Sequence, residues 1–381
     1  MNKKEPLMHV VKRDSLPASK RVLIRVIAIV IAIIVCGVLT SLTAGISAID
    51  VYSSMVKGSF GSARKTWITF QDVSILLLIA LALTPAFKMK FWNIGGEGQV
   101  LMGGLGAAIV MIKLADKLPN PLVMLLMVLA SIVLGGLWGF IPAFFKAKWN
   151  TNETLSTLML NYIGTQIVSY FVVAWAVPKG SGKIGIINQD SHIGWLPNLF
   201  DSKYLLCIMV ALLTCVSLYY YFNKSKQGYE LRVVGESVMT ARYVGISVER
   251  VIIRTMILSG ALCGIVGCLL VGSVNHTITT TIAGGQGFTA VMVSWMAKFN
   301  PFTMILTSFV IAFMENGSGE IATNCGLNQS FSSILTGIIL FFIIGCEFFI
   351  TYKVQFRKKK VEANTDNTSA NLSTNEKEET K

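Results

Sequence analysis

The sequence predicts an all-α, polytopic membrane protein of about ten transmembrane helices with both termini cytoplasmic. Three observations carry this. Hydrophobic residues fill 53% of the 381 positions and charged residues only 14%, against nearer 25% charged in soluble domains. Ten apolar runs divide the chain, most of them near the about 20 residues that cross a bilayer. The excess positive charge, net +13, stands in short blocks beside those runs, and such blocks mark the cytoplasmic side. The charge therefore argues for a membrane, with anionic lipid as a secondary contact, and against nucleic acid as the partner.

Residues 1–21 are polar and basic, with Lys3, Lys4, Lys12, Arg13, Lys20 and Arg21, and are expected to lack fixed structure. The membrane domain takes residues 22–350. Its first run, Val22–Leu42, is followed by the small residues Ala44-Gly-Ile-Ser-Ala48. It is nevertheless longer than the 7–15 residues of a signal-peptide core, and reads as an uncleaved span. Further runs cover 69–87, 91–112, 121–145, 155–177, 204–222, 251–273, 286–299, 302–317 and 331–350. The 286–299 and 302–317 runs are short, and fit shortened or re-entrant helices of the kind tolerated where they line a cavity.

With the N-terminus inside, the cytoplasmic turns hold Lys88 and Lys90, Lys146 and Lys148, the 223–250 loop, and Lys298. The outside segments are then 43–68, 113–120, 178–203, 274–285 and 318–330. The first of these is irregular, because it contains Lys57, Arg64 and Lys65. The 351–381 tail opens with Lys353 and Arg357 to Lys360; from Val361 it is rich in Asn, Thr, Ser and Glu, and is expected to be disordered.

Small residues recur four apart at Gly135/Gly139, Gly260/Gly264, Ser259/Cys263 and Gly103/Ala107. That spacing lets helix backbones approach closely in lipid. The cysteines show no CxxC and read as small buried hydrophobes, apart from Cys325 in a short loop. His9, His192 and His276 are scattered. Neither a metal nor a cofactor is expected. No GxxxxGK[ST], HExxH or paired-aspartate motif occurs, so an integral membrane enzyme is disfavoured.

Polar residues within spans are expensive and face the bundle interior. Asn93, Glu97 and Gln99 lie in Asn93-Ile-Gly-Gly-Glu-Gly-Gln99. They read either as a broken helix start lining a path or as a buried knot tying helices together. Asn152 or Thr154 can cap the next helix. Thr154, Thr157 and Asn161 fall on one face of it, as a path lining or as interhelical hydrogen bonds. Asn275, His276, Thr277 and Thr279–Thr281, with Gln286, read as an outer entrance or as a plain polar loop. Gly95-Gly-Glu-Gly-Gln99 and Gly284-Gly-Gln-Gly287 echo each other, as interruptions in the two halves of a repeat-built transporter do.

Residues 227–246 form the long polar interval inside the chain, between Lys224 and Lys226 on one side and Arg250 and Arg254 on the other. Gly235 can end one short element. Glu236 to Val244 can make about two helical turns, closed by a left-handed Gly245, and Ser247 can cap the following span.

Three stretches carry a resemblance: Phe91-Trp-Asn-Ile-Gly-Gly-Glu-Gly-Gln99, Asn152-Glu-Thr-Leu-Ser-Thr-Leu-Met-Leu-Asn-Tyr-Ile163 and Gly235-Glu-Ser-Val-Met-Thr-Ala-Arg-Tyr-Val-Gly-Ile246. In this order they resemble the inner-membrane permeases of bacterial ABC importers, in the superfamily of ribose-type and branched-chain amino-acid permeases. The likeness is to its nucleoside (BMP-associated) and riboflavin branch, over roughly residues 22–350. It implies a plasma-membrane transport subunit with three kinds of partner: a cytoplasmic ABC ATPase that hydrolyses the ATP, a second permease subunit (hetero- or homodimer), and an extracytoplasmic substrate-binding lipoprotein. It implies a coupling segment containing Gly235, Glu236, Ala241, Arg242, Tyr243, Gly245 and Ile246. Asn93, Glu97, Gln99, Thr154, Thr157, Asn161 and Gln286 become the candidates for the substrate path. The solute expected is a nucleoside, with riboflavin or a simple sugar as alternatives and an ion-coupled secondary carrier as the rival from another class.

Overall fold

The computed structural model describes residues 8–13, 17–45, 47–176, 178–200, 202–324, 326 and 329–356. They form two compact units, Ile29–Ile344 and the two flanks of that stretch.

The described residues are helical almost throughout, in keeping with the apolar composition. In order come α1 (Ala18–Ala44), α2 (Ala48–Phe60), α3 (Ala63–Lys88), α4 (Gly96–Leu114), α5 (Asn120–Trp149), α6 (Glu153–Ala174) and α7 (Leu205–Lys224). Then follow α8 (Lys226–Glu236), α9 (Val238–Tyr243), α10 (Val248–Leu269), a π-helical turn (Leu270–Asn275), α11 (Gln286–Met296), α12 (Pro301–Asn324) and α13 (Gln329–Thr351). Eight of these, α1, α3 to α7, α10 with its π turn, and α13, are long and apolar enough to cross a membrane.

α3 is the axis of the main unit. From Val73 to Phe87 every residue is buried, which is what an element apolar on all sides requires. α4, α5 and α10 make a close-packed trio beside it through their glycines. A Cβ on Gly264 of α10 would strike the Ser131 carbonyl of α5, and one on Gly103 of α4 would strike the Gly264 backbone. A Cβ on Gly135 would meet the Gly260 carbonyl. In lipid, contact of this kind replaces the hydrophobic drive as the source of helix association.

Three elements depart from the sequence expectation. α2 lies in the 43–68 segment, read as a loop. Ser47 starts it by accepting the Ile49 N–H at 3.3 Å, and Ser62 restarts the chain by accepting that of Lys65 at 3.3 Å. Its apolar face was too short to register as a run. The third apolar run begins at Phe91, yet α4 begins only at Gly96, because residues 91–95 form a bent connector. α12 outlasts its 302–317 run. Glu315, Asn316 and Glu320 dilute its hydropathy, but it lies antiparallel along α3, from Thr84–Met304 through Asn316 with Asp72 and Thr69 to Lys65–Glu320.

In the smaller unit, β1 (Met8–Lys12) pairs antiparallel with β2 (Tyr352–Phe356). The first lies in the segment expected to lack fixed structure, and the second opens the 351–381 tail. Their β-branched and aromatic residues suit strands. The pairing brings together the residues before α1 and after α13. Arg357–Lys360 and the tail from Val361 lie outside the described residues, as does Cys325.

The topology has a direct check. The six described cysteines are all buried, so an added thiol stands out against them. A cysteine at exposed Ser181 should react with an impermeant thiol reagent in intact cells, and one at exposed Thr240 only after the membrane is opened. Equal labelling at both would overturn the inside-out assignment.

Candidate functional site

The predicted polar residues converge where α4 begins. The bent 91–95 connector leaves the backbone groups of Ile94 without local partners, and side chains from α6 satisfy them. Asn161 of α6 accepts the Gly98 N–H at 2.8 Å and donates to the Ile94 carbonyl at 2.9 Å. The Thr157 hydroxyl accepts the Ile94 N–H at 3.2 Å. Asn93 accepts the Gly95 N–H at 2.9 Å, donates to Ser259 of α10 at 3.2 Å, and exchanges amide bonds with Gln99 at 3.4 Å. Asn93, Gln99, Thr157 and Asn161 are all buried. Their geometry is that of a knot joining α4, α6 and α10. Thr154 contributes its carbonyl, which accepts the Thr157 hydroxyl at 3.1 Å, and Asn152 is the residue that caps α6, accepting the Leu155 N–H at 3.1 Å.

Glu97 points the other way. Its two carboxylate oxygens accept the N–H groups of Gly285 and Gly287 at 3.0 and 2.9 Å. Gly284 and Gly285 have φ of +59° and +78°, the left-handed turn that only glycine makes cheaply. The carboxylate therefore caps the exposed N–H groups and positive dipole end of α11. The two glycine-rich interruptions that echo each other in sequence meet at this one side chain. Trp92 stacks on Trp295 at 4.9 Å and fastens the far end of α11 to the same connector.

Asn161→Leu is expected to remove two partners at once, from the Gly98 N–H and the Ile94 carbonyl. Each buried backbone group left unpaired costs about 1–3 kcal/mol. The expected result is a lower melting temperature in detergent together with reduced uptake. Lost uptake at unchanged stability would instead place Asn161 on a path.

The remaining path candidate, Gln286, stands at the first residue of α11 and lines a cavity of about 640 Å³ between α2, α3, α12 and α13. Lys65, Asp72, Glu315, Asn316 and Glu320 also line it. Of these, sequence analysis singles out Lys65 alone, as an irregular charge in the 43–68 segment. Asp72 and Glu315 were nevertheless legible as acids inside apolar runs, which mark functional sites by default.

The third polar set packs at the other end. His276 stacks on Trp195 at 3.7 Å, and its carbonyl accepts the Ile187 N–H at 2.8 Å. The 178–203 loop is thereby docked on the end of α10.

The polar interval 227–246 is ordered. α8 lies under α3 and α7: a Cβ on Gly235 would strike the Lys88 carbonyl, and Arg232 donates to the Phe222 carbonyl at 2.8 Å. Ser237 caps α9, accepting the Thr240 N–H at 3.2 Å. Glu236 therefore closes α8, and the short helix, expected from Glu236 to Val244, runs only from Val238 to Tyr243. Arg242 does sit in the last turn of α9. The helix ends in a paired bond set, Ile246 N–H to the Ala241 carbonyl at 2.9 Å and Gly245 N–H to the Arg242 carbonyl at 3.0 Å, with Gly245 at φ +79°. This is a Schellman ending. Ser247 precedes α10 without a side-chain cap bond. Ala241 is buried, while Met239 and Tyr243 are 76% and 94% exposed.

A bundle of apolar spans around a polar seam, with a short helix broken into its middle and a rigid loop at one end, is the architecture of a membrane transport permease. The family described as the permease component of the branched-chain amino acid transport system matches residues 68–344. The chain belongs to that family, and is a transport subunit and a multi-pass plasma-membrane protein. It is 29% identical over 325 residues to the guanosine ABC transporter permease protein NupP of Bacillus subtilis, covering 84% of this chain and 92% of that one. It is 28% identical over 335 residues to the nucleoside ABC transporter permease protein NupB of Lactococcus lactis, covering 85% and 91%. With the probable riboflavin import permease protein RfuC of Treponema pallidum the identity is 21% over 304 residues, covering 78% and 79%.

Proposed function

We propose that this chain is the membrane-spanning permease of an ATP-driven importer that passes a nucleoside inward. The observation that carries the solute class is the match, over nine-tenths of their lengths, to permeases named for guanosine and for nucleosides. The riboflavin permease matches more weakly and over less of the chain. The partners follow from the family: an ABC ATPase, a second permease, either a copy or a homologue, and an extracytoplasmic solute-binding lipoprotein.

α9 is the segment on which the ATPase docks. It is short, closed at both ends, and offers Met239 and Tyr243 to a groove. Its support runs inward through α8 to the Lys88 carbonyl at the end of α3, then along residues 89–95 to the Asn93 knot, Glu97 and α11. α12 beside α3, and the broken stretch 276–296, add two crossings to the eight apolar spans. The ten that result agree with the number expected from the sequence.

The test is uptake by proteoliposomes holding this chain with its second permease and ATPase. Guanosine should accumulate only with ATP inside the nucleotide-binding compartment and the binding protein outside. Accumulation by this chain alone, driven by an ion gradient, would make it a secondary carrier.

A further inference from the structure

We propose that the cavity between α2, α3, α12 and α13 is this subunit's solute chamber, and that its carboxylates hold the hydroxyl groups of a neutral sugar moiety. The inference rests on the nucleoside-permease reading and adds the site and its chemistry. The volume of about 640 Å³ lies within the about 300–1,000 Å³ of small-molecule sites. Its lining is unlike an ordinary interhelical contact. Lys65 is 2.7 Å from Glu320, and the Asn316 amide donates to Asp72 at 3.1 Å and to Thr69 at 3.3 Å. None of the described hydrogen bonds or ion pairs engages the side chain of Glu315. Threonine and serine hydroxyls complete the wall. Helix glue would leave no carboxylate over, and an intramembrane acid without a protein partner calls for one from outside.

The chemistry selects the partner. An ionised carboxylate only accepts, through two oxygens with about four lone-pair sites. A vicinal diol supplies two O–H donors that fit them, and hydrogen bonds to an ionised acceptor are about twice as strong as neutral ones. Three carboxylates against one lysine repel an anion, so a nucleotide with the same sugar is rejected. Asn316 and Gln286 can both donate and accept, as a nucleobase edge requires. Gln286 also begins α11, whose N–H groups Glu97 caps. Movement of that broken helix would therefore alter the chamber wall directly.

The experiment uses the complete transporter in proteoliposomes, with a cysteine at Ser333 or, separately, at Thr323 on the chamber wall, and one at Ser181 as an outside control. Guanosine should slow modification of Ser333→Cys and Thr323→Cys by a small thiol reagent, guanosine monophosphate should not, and Ser181→Cys should be indifferent to both. Glu315→Gln should raise the KM for guanosine about tenfold, the effect of weakening one charge-assisted bond, with ATP-dependent turnover at saturation retained. If the wild-type complex imports guanosine, yet neither chamber cysteine is protected and Glu315→Gln leaves KM unchanged, the chamber assignment is wrong and the nucleoside reading stands. Protection by guanosine monophosphate equal to that by guanosine overturns the carboxylate argument. If the wild type imports riboflavin or glucose in place of guanosine, the nucleoside reading falls, and the imported solute decides the chamber in the same assay. Import of none of the three removes both.

Discussion

Gly264→Val is expected to eliminate the folded protein from the membrane. Gly264 stands where α10 touches both α4 and α5. A Cβ there would strike the Ser131 carbonyl and approach the Gly135 Cα at 3.4 Å, and Gly103 opposite has its own Cβ space filled by the Gly264 backbone. These obstacles are main chain, so no rotamer change relieves them. Overpacking a core usually costs about 1–3 kcal/mol, and this site lies at the upper end or beyond because three backbones must separate together. The same variation at Gly345, where an added Cβ meets nothing within 4 Å, should leave the protein level unchanged. Immunoblots of membranes and thermal unfolding in detergent measure both. A normal level of Gly264→Val would mean that the trio is not what holds the bundle.

Gly245→Val should leave the protein in place and uncouple it. The position is open on all sides, so the added bulk strikes nothing. Its φ of +79° is the obstacle, since the left-handed conformation costs an L-residue roughly 1–2 kcal/mol, and more when the side chain is β-branched. Relief comes by unwinding the last turn of α9 and displacing Tyr243. The expected result is normal docking of the loaded binding protein with loss of solute-stimulated ATP hydrolysis. Stimulation at the wild-type level would reduce α9 to a connector.

The spans were legible because a bilayer reads composition, and so was the turn at Gly245, because chirality makes glycine its cheapest occupant. What stayed hidden was what long-range packing decides. Phe91, Trp92 and Ile94 read as the start of a span, yet Asn161, far along the chain, makes the bent connector possible by satisfying its backbone. Glu97 and Gly285 were both conspicuous, and nothing local said that one would cap the other. The chamber draws Asp72 from one span and Glu315 and Glu320 from another some 240 positions away. Glu320 falls in the 318–330 segment read as an outside loop, yet α12 continues through it to Asn324. Polar residues at the end of α12 lower its hydropathy without ending the helix, because α3 pairs with them.

The pairing of Met8 with Phe356 bears on the order of manufacture. β1 is made before the helices, and its partner only after the last of them. At about 5–20 residues per second, the first strand waits roughly 20–70 s with its backbone groups unclaimed. The two-stranded clasp therefore cannot form before the last helix has been made. A chain stopped short of Tyr352 would carry every helix and lack the strand that pairs with β1.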